Sequence, residues 1–273
     1  MLALQTPPAV EAPAPTQARP PEARHWDLTV GLINATVQLD QPTGAETRTV
    51  GTGFLIEAPK PDGTPRVVMV TAGHVLEKMP DPDMRVGWRV AMPDGSWKFD
   101  PQPLEIRSEA GTPLWTTLEG RDIAVMEVQA PEAFARAAIP LTWLADADSF
   151  ETLDVGPGDE LLALGFPRGL SSNRAGFPIL RVGRVASYPL TPVSAFPTFL
   201  MDFTVFPGNS GGPIFWTPTA RRRPGATEPD HPFIAGMLSQ EVIVGTERLE
   251  LGVVVQAQYV REAIALLDKP KAP

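Results

Sequence analysis

The chain has 273 residues, 43% of them apolar, a formal net charge of −9, no cysteine, 32 prolines and 23 glycines. That length supports one or two domains with a core that needs no staples, and the absence of cysteine excludes disulfides and thiolate metal sites. An acidic balance offers no footprint for nucleic acid, and so many prolines and glycines favour short strands joined by turns over long helices.

Residues 5–25 are mostly Pro, Ala, Glu and Gln, too poor in bulky apolar side chains to offset the entropy of ordering. A disordered tail over 1–25 is therefore expected. Its first four residues are too short and lack the basic flank of an export signal. After Trp26, residues 28–39 alternate loosely and read as the first strand. Further strand-like runs follow at 47–56, 66–71, 85–92, 97–106 and 121–128. Turn residues separate several of them: Pro42-Thr-Gly44, Pro61-Asp-Gly63 and Pro93-Asp-Gly95. Such a series predicts a closed antiparallel barrel over 26–130.

Residues 131–158 lose this rhythm and carry Asp146, Asp148, Glu151 and Asp154, whose spacing does not fit a calcium loop. They read as a solvated linker, with no metal and no cofactor expected. A second strand series at 160–165, 179–188, 198–205, 213–216, 233–244 and 248–256 predicts a second barrel over 159–258. The chain closes on residues 259–273, where Val260, Ala263, Ile264 and Leu267 share one helical face. No membrane span is expected: the longest uncharged run, 185–201, holds three prolines. Arg221, Arg222 and Arg223 sit in a polar insertion, 217–232, read as a solvated loop or else as a site for an acidic partner or for self-cleavage.

The chemistry concentrates at Pro207-Gly-Asn-Ser210-Gly-Gly-Pro213. A serine hydroxyl attacks a carbonyl productively only where backbone N–H donors meet the oxyanion, and glycine lets the main chain approach without a Cβ clash. Gly208 and Ser210 are the candidate donors; Pro207 has no N–H to give. Serine also needs a base, most often histidine oriented by a carboxylate. Of three histidines, His74 alone follows a hydrophobic strand, in Val68-Met-Val-Thr-Ala-Gly-His74. Asp122, opening a strand-like run in the same half, is the candidate orienting acid.

Taken together, Gly51-Thr-Gly-Phe54, Thr71-Ala-Gly-His74, Asp122-Ile-Ala-Val125 and Gly208-Asn-Ser210-Gly-Gly resemble the chymotrypsin-like serine proteases, whose triad runs His, Asp, Ser along the chain. The likeness covers about residues 28–268, and Asn209, Gly158-Asp-Glu-Leu-Leu-Ala-Leu-Gly-Phe-Pro-Arg-Gly169 and Met201-Asp-Phe-Thr-Val205 are most similar to bacterial HtrA-type protease domains. The resemblance implies an all-β fold of two six-stranded antiparallel barrels with a C-terminal helix and the triad in the cleft between the barrels. It implies a serine endopeptidase acting on proteins or peptides, with Ser210 as nucleophile, His74 as base then acid and Asp122 orienting it. Ser239 matches a family serine that touches the aspartate. Thr204 stands where trypsin-like enzymes place an acid, so with Val205 it implies a neutral pocket preferring small or medium apolar side chains; Glu241, on the neighbouring strand, would change that preference if it lined the pocket.

Asn209 could not form the ion pair that activates zymogens, so activation of that kind is not expected. HtrA proteases carry a peptide-binding PDZ domain after the protease unit, and too few residues follow the terminal helix for one, which leaves self-contained activity or recruitment through the tail. A periplasmic or secreted site fits the resemblance, and a cytoplasmic one stays open. The rival readings are a catalytically silent module that grips extended peptides and an esterase with the same triad.

Overall fold

A computed structural model describes residues 25–44, 47–216 and 233–269. The expected tail up to residue 24 and the arginine-bearing insertion lie outside the described residues.

The first element corrects the sequence reading. Residues His25–Ala35 form helix α1, and the first strand, β1, is confined to Thr36–Pro42. Leu32 and Ala35 lie on one helical face and are both fully buried. The helix ends where Thr36 Oγ1 donates to Leu32 O at 2.9 Å and the Arg89 guanidinium takes over the last carbonyls, Ile33 O at 3.2 Å and Asn34 O at 2.9 Å. Arg89 also donates to Thr36 O at 2.9 Å and Gly176 O at 3.2 Å, and its burial pulls its pKa down to about 10. Its flat cation lies between the rings of Phe134 and Phe177, 4.9 Å from each centroid.

The N-terminal half continues with β2 (Arg48–Glu57), β3 (Val67–Thr71), helix α2 (Gly73–Glu77), β4 (Asp83–Ala91), β5 (Trp97–Glu105), β6 (Thr116–Thr117) and β7 (Ala124–Glu127). Pairing runs β5-β4-β1-β2-β3-β7-β6, with a parallel β8 (Ile139–Pro140) beside β2, in an eight-stranded sheet. Among the described residues no strand pairing closes this sheet on itself, so the six-stranded barrel expected here is seen as a path of seven strands with β8 beside it, its closure not shown.

The C-terminal half does close. Strands β9 (Glu160–Gly165), β10 (Ile179–Val185), β11 (Thr198–Asp202), β12 (Pro213–Trp216), β13 (Phe233–Val244) and β14 (Glu247–Gln256) form a barrel in the order β10-β11-β14-β13-β12-β9. Helix α5 (Ala257–Leu266) then lies against it, burying Val260, Ala263 and Ile264 as its periodicity predicts. Among the described residues no helix is long and apolar enough to cross a membrane.

Residues 131–158 are packed. They hold α3 (Glu132–Ala137), β8 and α4 (Ser149–Thr152), and bury Phe134, Ile139, Leu144 and Phe150. The acidic side chains that suggested a linker occupy the outer face of a segment whose apolar residues point inward. Arg261 of α5 donates to Leu141 O and Leu144 O at 3.2 and 2.9 Å, tying the segment to the end of the chain.

Candidate active site

Strand register explains how His74 and Asp122 meet. Thr71 pairs with Ala124 across the antiparallel ladder of β3 and β7, so the residues just after β3 and just before β7 emerge at the same end of the sheet. The short helix α2 turns His74 back over that end. It sits close against β2, because Gly51 there has no side chain: a Cβ would lie 2.3 Å from Val75 Cγ1 of the helix.

Asp122 Oδ2 lies 2.8 Å from His74 Nδ1, and Asp122 Oδ1 accepts the His74 backbone N–H at 2.9 Å. Ser239 Oγ donates to the same Oδ2 at 2.5 Å. Burial pushes the Asp122 carboxyl upward, but the hydrogen bonds from the His74 ring, Ser239 and the His74 N–H outweigh it and hold the pKa at about 2 against an ordinary 3.8. An ionised carboxylate only accepts hydrogen bonds, so the proton of the neutral imidazole belongs on Nδ1 and the lone pair on Nε2.

This has a consequence for stability. A carboxyl whose folded pKa is depressed stabilises the fold above its unfolded value and loses that contribution as pH falls through the folded one. Asp122 should thus contribute about 1–2 kcal/mol at neutral pH, after allowance for its partial exposure. In urea unfolding, the difference between the wild type and Asp122→Asn is expected to stay constant above about pH 4 and to shrink between the ordinary 3.8 and about 2. A gap that does not change over that window would contradict the assignment.

Ser210 comes from the other half. It precedes β12 by three residues, and the two glycines after it stitch the loop to β13, Gly211 N–H donating to Leu238 O at 2.7 Å and Leu238 N–H to Gly212 O at 2.9 Å. His74 and Ser210 border one cleft of about 440 Å³, together with Val205, Phe206, Gly208 and Glu241. Among the described residues no hydrogen bond joins Ser210 Oγ to His74; in enzymes without substrate that contact is often loose and tightens on binding.

Most main-chain groups of the serine loop have named partners. Arg168 N–H donates to Pro207 O at 2.6 Å, Gly212 N–H to Asn209 O at 3.0 Å and Thr52 N–H to Ser210 O at 2.9 Å. Thr52 Oγ1 donates to Gly208 O at 2.7 Å. Asn209 N–H is bound to Phe206 O at 3.0 Å. Among the described residues this leaves two donors unpaired in the loop, the N–H groups of Gly208 and Ser210. Gly208 reaches this arrangement with φ of +96°, and a Cβ there would lie 2.3 Å from Phe166 O. Arg168 holds the Pro207 carbonyl, so that oxygen does not pair with the two unpaired donors.

Ser239 touches Asp122 as the resemblance implies, whereas Thr204, assigned to the substrate pocket from sequence, is placed elsewhere. Neither Thr204 nor Ser239 borders the cleft. The Thr204 carbonyl is bound by the Arg181 guanidinium, and Ser239 spends its hydroxyl on Asp122. Strand β11 ends at Asp202, so counting six residues back from the serine as though the strand ran on misplaces the pocket wall. Val205 and Glu241 do border the cleft. Thr52, which the sequence reading passed over inside Gly51-Thr-Gly-Phe54, is fully buried and accepts the Phe166 N–H at 3.1 Å while donating to Gly208 O.

A trypsin-like peptidase domain model matches residues 51–219. The fold is similar to that of the serine endoprotease from Yersinia pestis, at 16% identity and a TM-score of 0.52, over 90% of this chain and 67% of that one. It is also similar to the HtrA-type protease AlgW solved with a decapeptide, at 15% identity and a TM-score of 0.50, over 90% of this chain and 69% of that one. No curated protein matches the sequence. With the domain match spanning well over half its length and the same fold around it, the chain belongs to the trypsin-like peptidase family of serine endopeptidases.

Proposed function

We propose that the chain hydrolyses peptide bonds through an acyl-enzyme on Ser210. His74 Nε2 takes the hydroxyl proton as Ser210 Oγ bonds to the carbonyl carbon, and the carbonyl π electrons move onto oxygen. The resulting oxyanion receives the N–H groups of Gly208 and Ser210. Collapse of the tetrahedral species breaks the C–N bond, and His74 returns the proton to the leaving amine. Water repeats the sequence and releases the acid. Asp122 keeps the imidazole in the Nδ1–H form and stabilises the imidazolium without taking its proton.

The observation that carries this reading is the pair of unpaired donors in a loop whose other N–H groups, those of Asn209, Gly211 and Gly212, are hydrogen-bonded. Preorganised donors of this kind cost nothing to orient at the moment charge develops. Val205 and Phe206 supply apolar wall for a substrate side chain.

Incubation with a fluorophosphonate tests it directly. The expected result is one adduct, located by mass spectrometry on the peptide containing Ser210, and a burst of product at the start of ester turnover. A folded protein that takes no adduct and gives no burst would instead be a peptide-gripping module on a protease fold.

A further inference from the structure

Glu241 lies on β13, opposite Gly252 of β14, and is the single carboxylate among the described residues bordering the cleft. Its side chain is only 9% exposed. Oε2 accepts from Arg248 Nη1 at 2.9 Å, whereas Oε1 is sealed from solvent and has no hydrogen-bond partner. A buried carboxylate oxygen without a donor is costly and marks a place where a donor is missing. Arg248, by contrast, keeps 48% of its side chain exposed and holds Glu241 through one contact. A half-exposed ion pair of that kind contributes little, so its guanidinium can return to water cheaply.

We propose that Glu241 selects the substrate side chain, and that lysine or arginine enters by replacing Arg248 on its carboxylate. The proposal rests on the reading of the cleft as the peptidase site. An incoming ammonium or guanidinium brings several N–H donors and reaches both carboxylate oxygens, satisfying the one that Arg248 leaves bare. Val205, Phe206 and Ile243 border the same space and suit the aliphatic stem of either residue. An apolar side chain would leave Oε1 unpaired, and an acidic one would meet like charge. The other cations bordering the cleft are Arg48 and Lys78; Arg48 is engaged by Asp40 at 3.4 Å and Gly169 O at 3.3 Å. Arg248 is thus an internal stand-in for the substrate's cation.

The test compares kcat/KM for peptides that differ only in having Lys, Arg or Val before the scissile bond. Arg248→Ala is expected to raise the ratio of basic to valine substrates about tenfold, and Glu241→Gln to lower it by at least about tenfold. A second measurement needs no turnover: calorimetric binding of n-butylguanidinium, tighter to Arg248→Ala than to the wild type and weaker to Glu241→Gln. Ratios that move in neither variant, or butylguanidinium that fails to bind or binds wild type and Glu241→Gln alike, would overturn the proposal. If butylguanidinium follows the expected order while no peptide is cleaved and Ser210 takes no fluorophosphonate, the subsite stands and the nucleophile reading falls.

Discussion

Ser210→Ala is expected to lower kcat for peptide hydrolysis by roughly 10⁶-fold, with KM little changed. The loss is large because the triad acts as a unit: without Oγ, His74 and Asp122 have no proton to move, and only the N–H donors and substrate binding remain. The fold should not notice. The serine contributes its carbonyl to Thr52 N–H, and alanine keeps that carbonyl and the backbone N–H in place. Thermal unfolding of the variant should therefore match the wild type while fluorophosphonate labelling vanishes. Residual turnover within about a thousandfold of wild type in a folded Ser210→Ala protein would remove the serine from the role of nucleophile.

Gly208→Ala should cost about 10²- to 10³-fold in kcat, the usual range for one lost oxyanion donor. The added methyl would sit 2.3 Å from Phe166 O and 3.2 Å from Arg168 N, and the backbone at φ of +96° is one that alanine resists. The strain is relieved most directly by rotating the Pro207–Gly208 peptide, which breaks the Arg168 bond and turns the N–H out of the cleft. Some stability is lost as well, so a control is needed. Gly63 also has a left-handed φ, +84°, yet nothing lies within 4 Å of its missing Cβ. Gly63→Ala should then lower the unfolding midpoint without lowering kcat. If Gly208→Ala behaves like Gly63→Ala, with stability down and kcat intact, the N–H of residue 208 is not an oxyanion donor.

The proposed triad was legible because each member sits in a short run with its own chemistry. His74 follows a hydrophobic strand, Asp122 opens one, and glycines surround Ser210. The residues that hold them are harder to read, since their partners are remote. Thr52 meets Phe166 across 114 positions and Gly208 across 156, and nothing local distinguishes it from any other threonine in a strand. Helix α1 was misread because a loose alternation also fits Leu32 and Ala35 at helical spacing, and the arginine that ends it, Arg89, lies on β4. The number of strands in each half was roughly visible; closure, expected for both, is seen in the C-terminal half alone, because it depends on whether the last strand finds the first. The pocket was read in part, Val205 and Glu241 bordering the cleft and Thr204 not. Glu241 was within reach of the sequence reading, but its importance lies in an oxygen without a partner, and only packing reveals that.

Thr52 also bears on what the proposed chemistry demands of the assembled fold. It belongs to the N-terminal sheet, yet its amide and its hydroxyl hold the carbonyls of Ser210 and Gly208, in the C-terminal barrel. A barrel that folds before it docks therefore lacks the two bonds that hold the Gly208 and Ser210 carbonyls, and a sheet alone carries an imidazole with no serine beside it. In the proposed mechanism cleavage therefore requires both halves to be docked, with Thr52 as one of the joints between them.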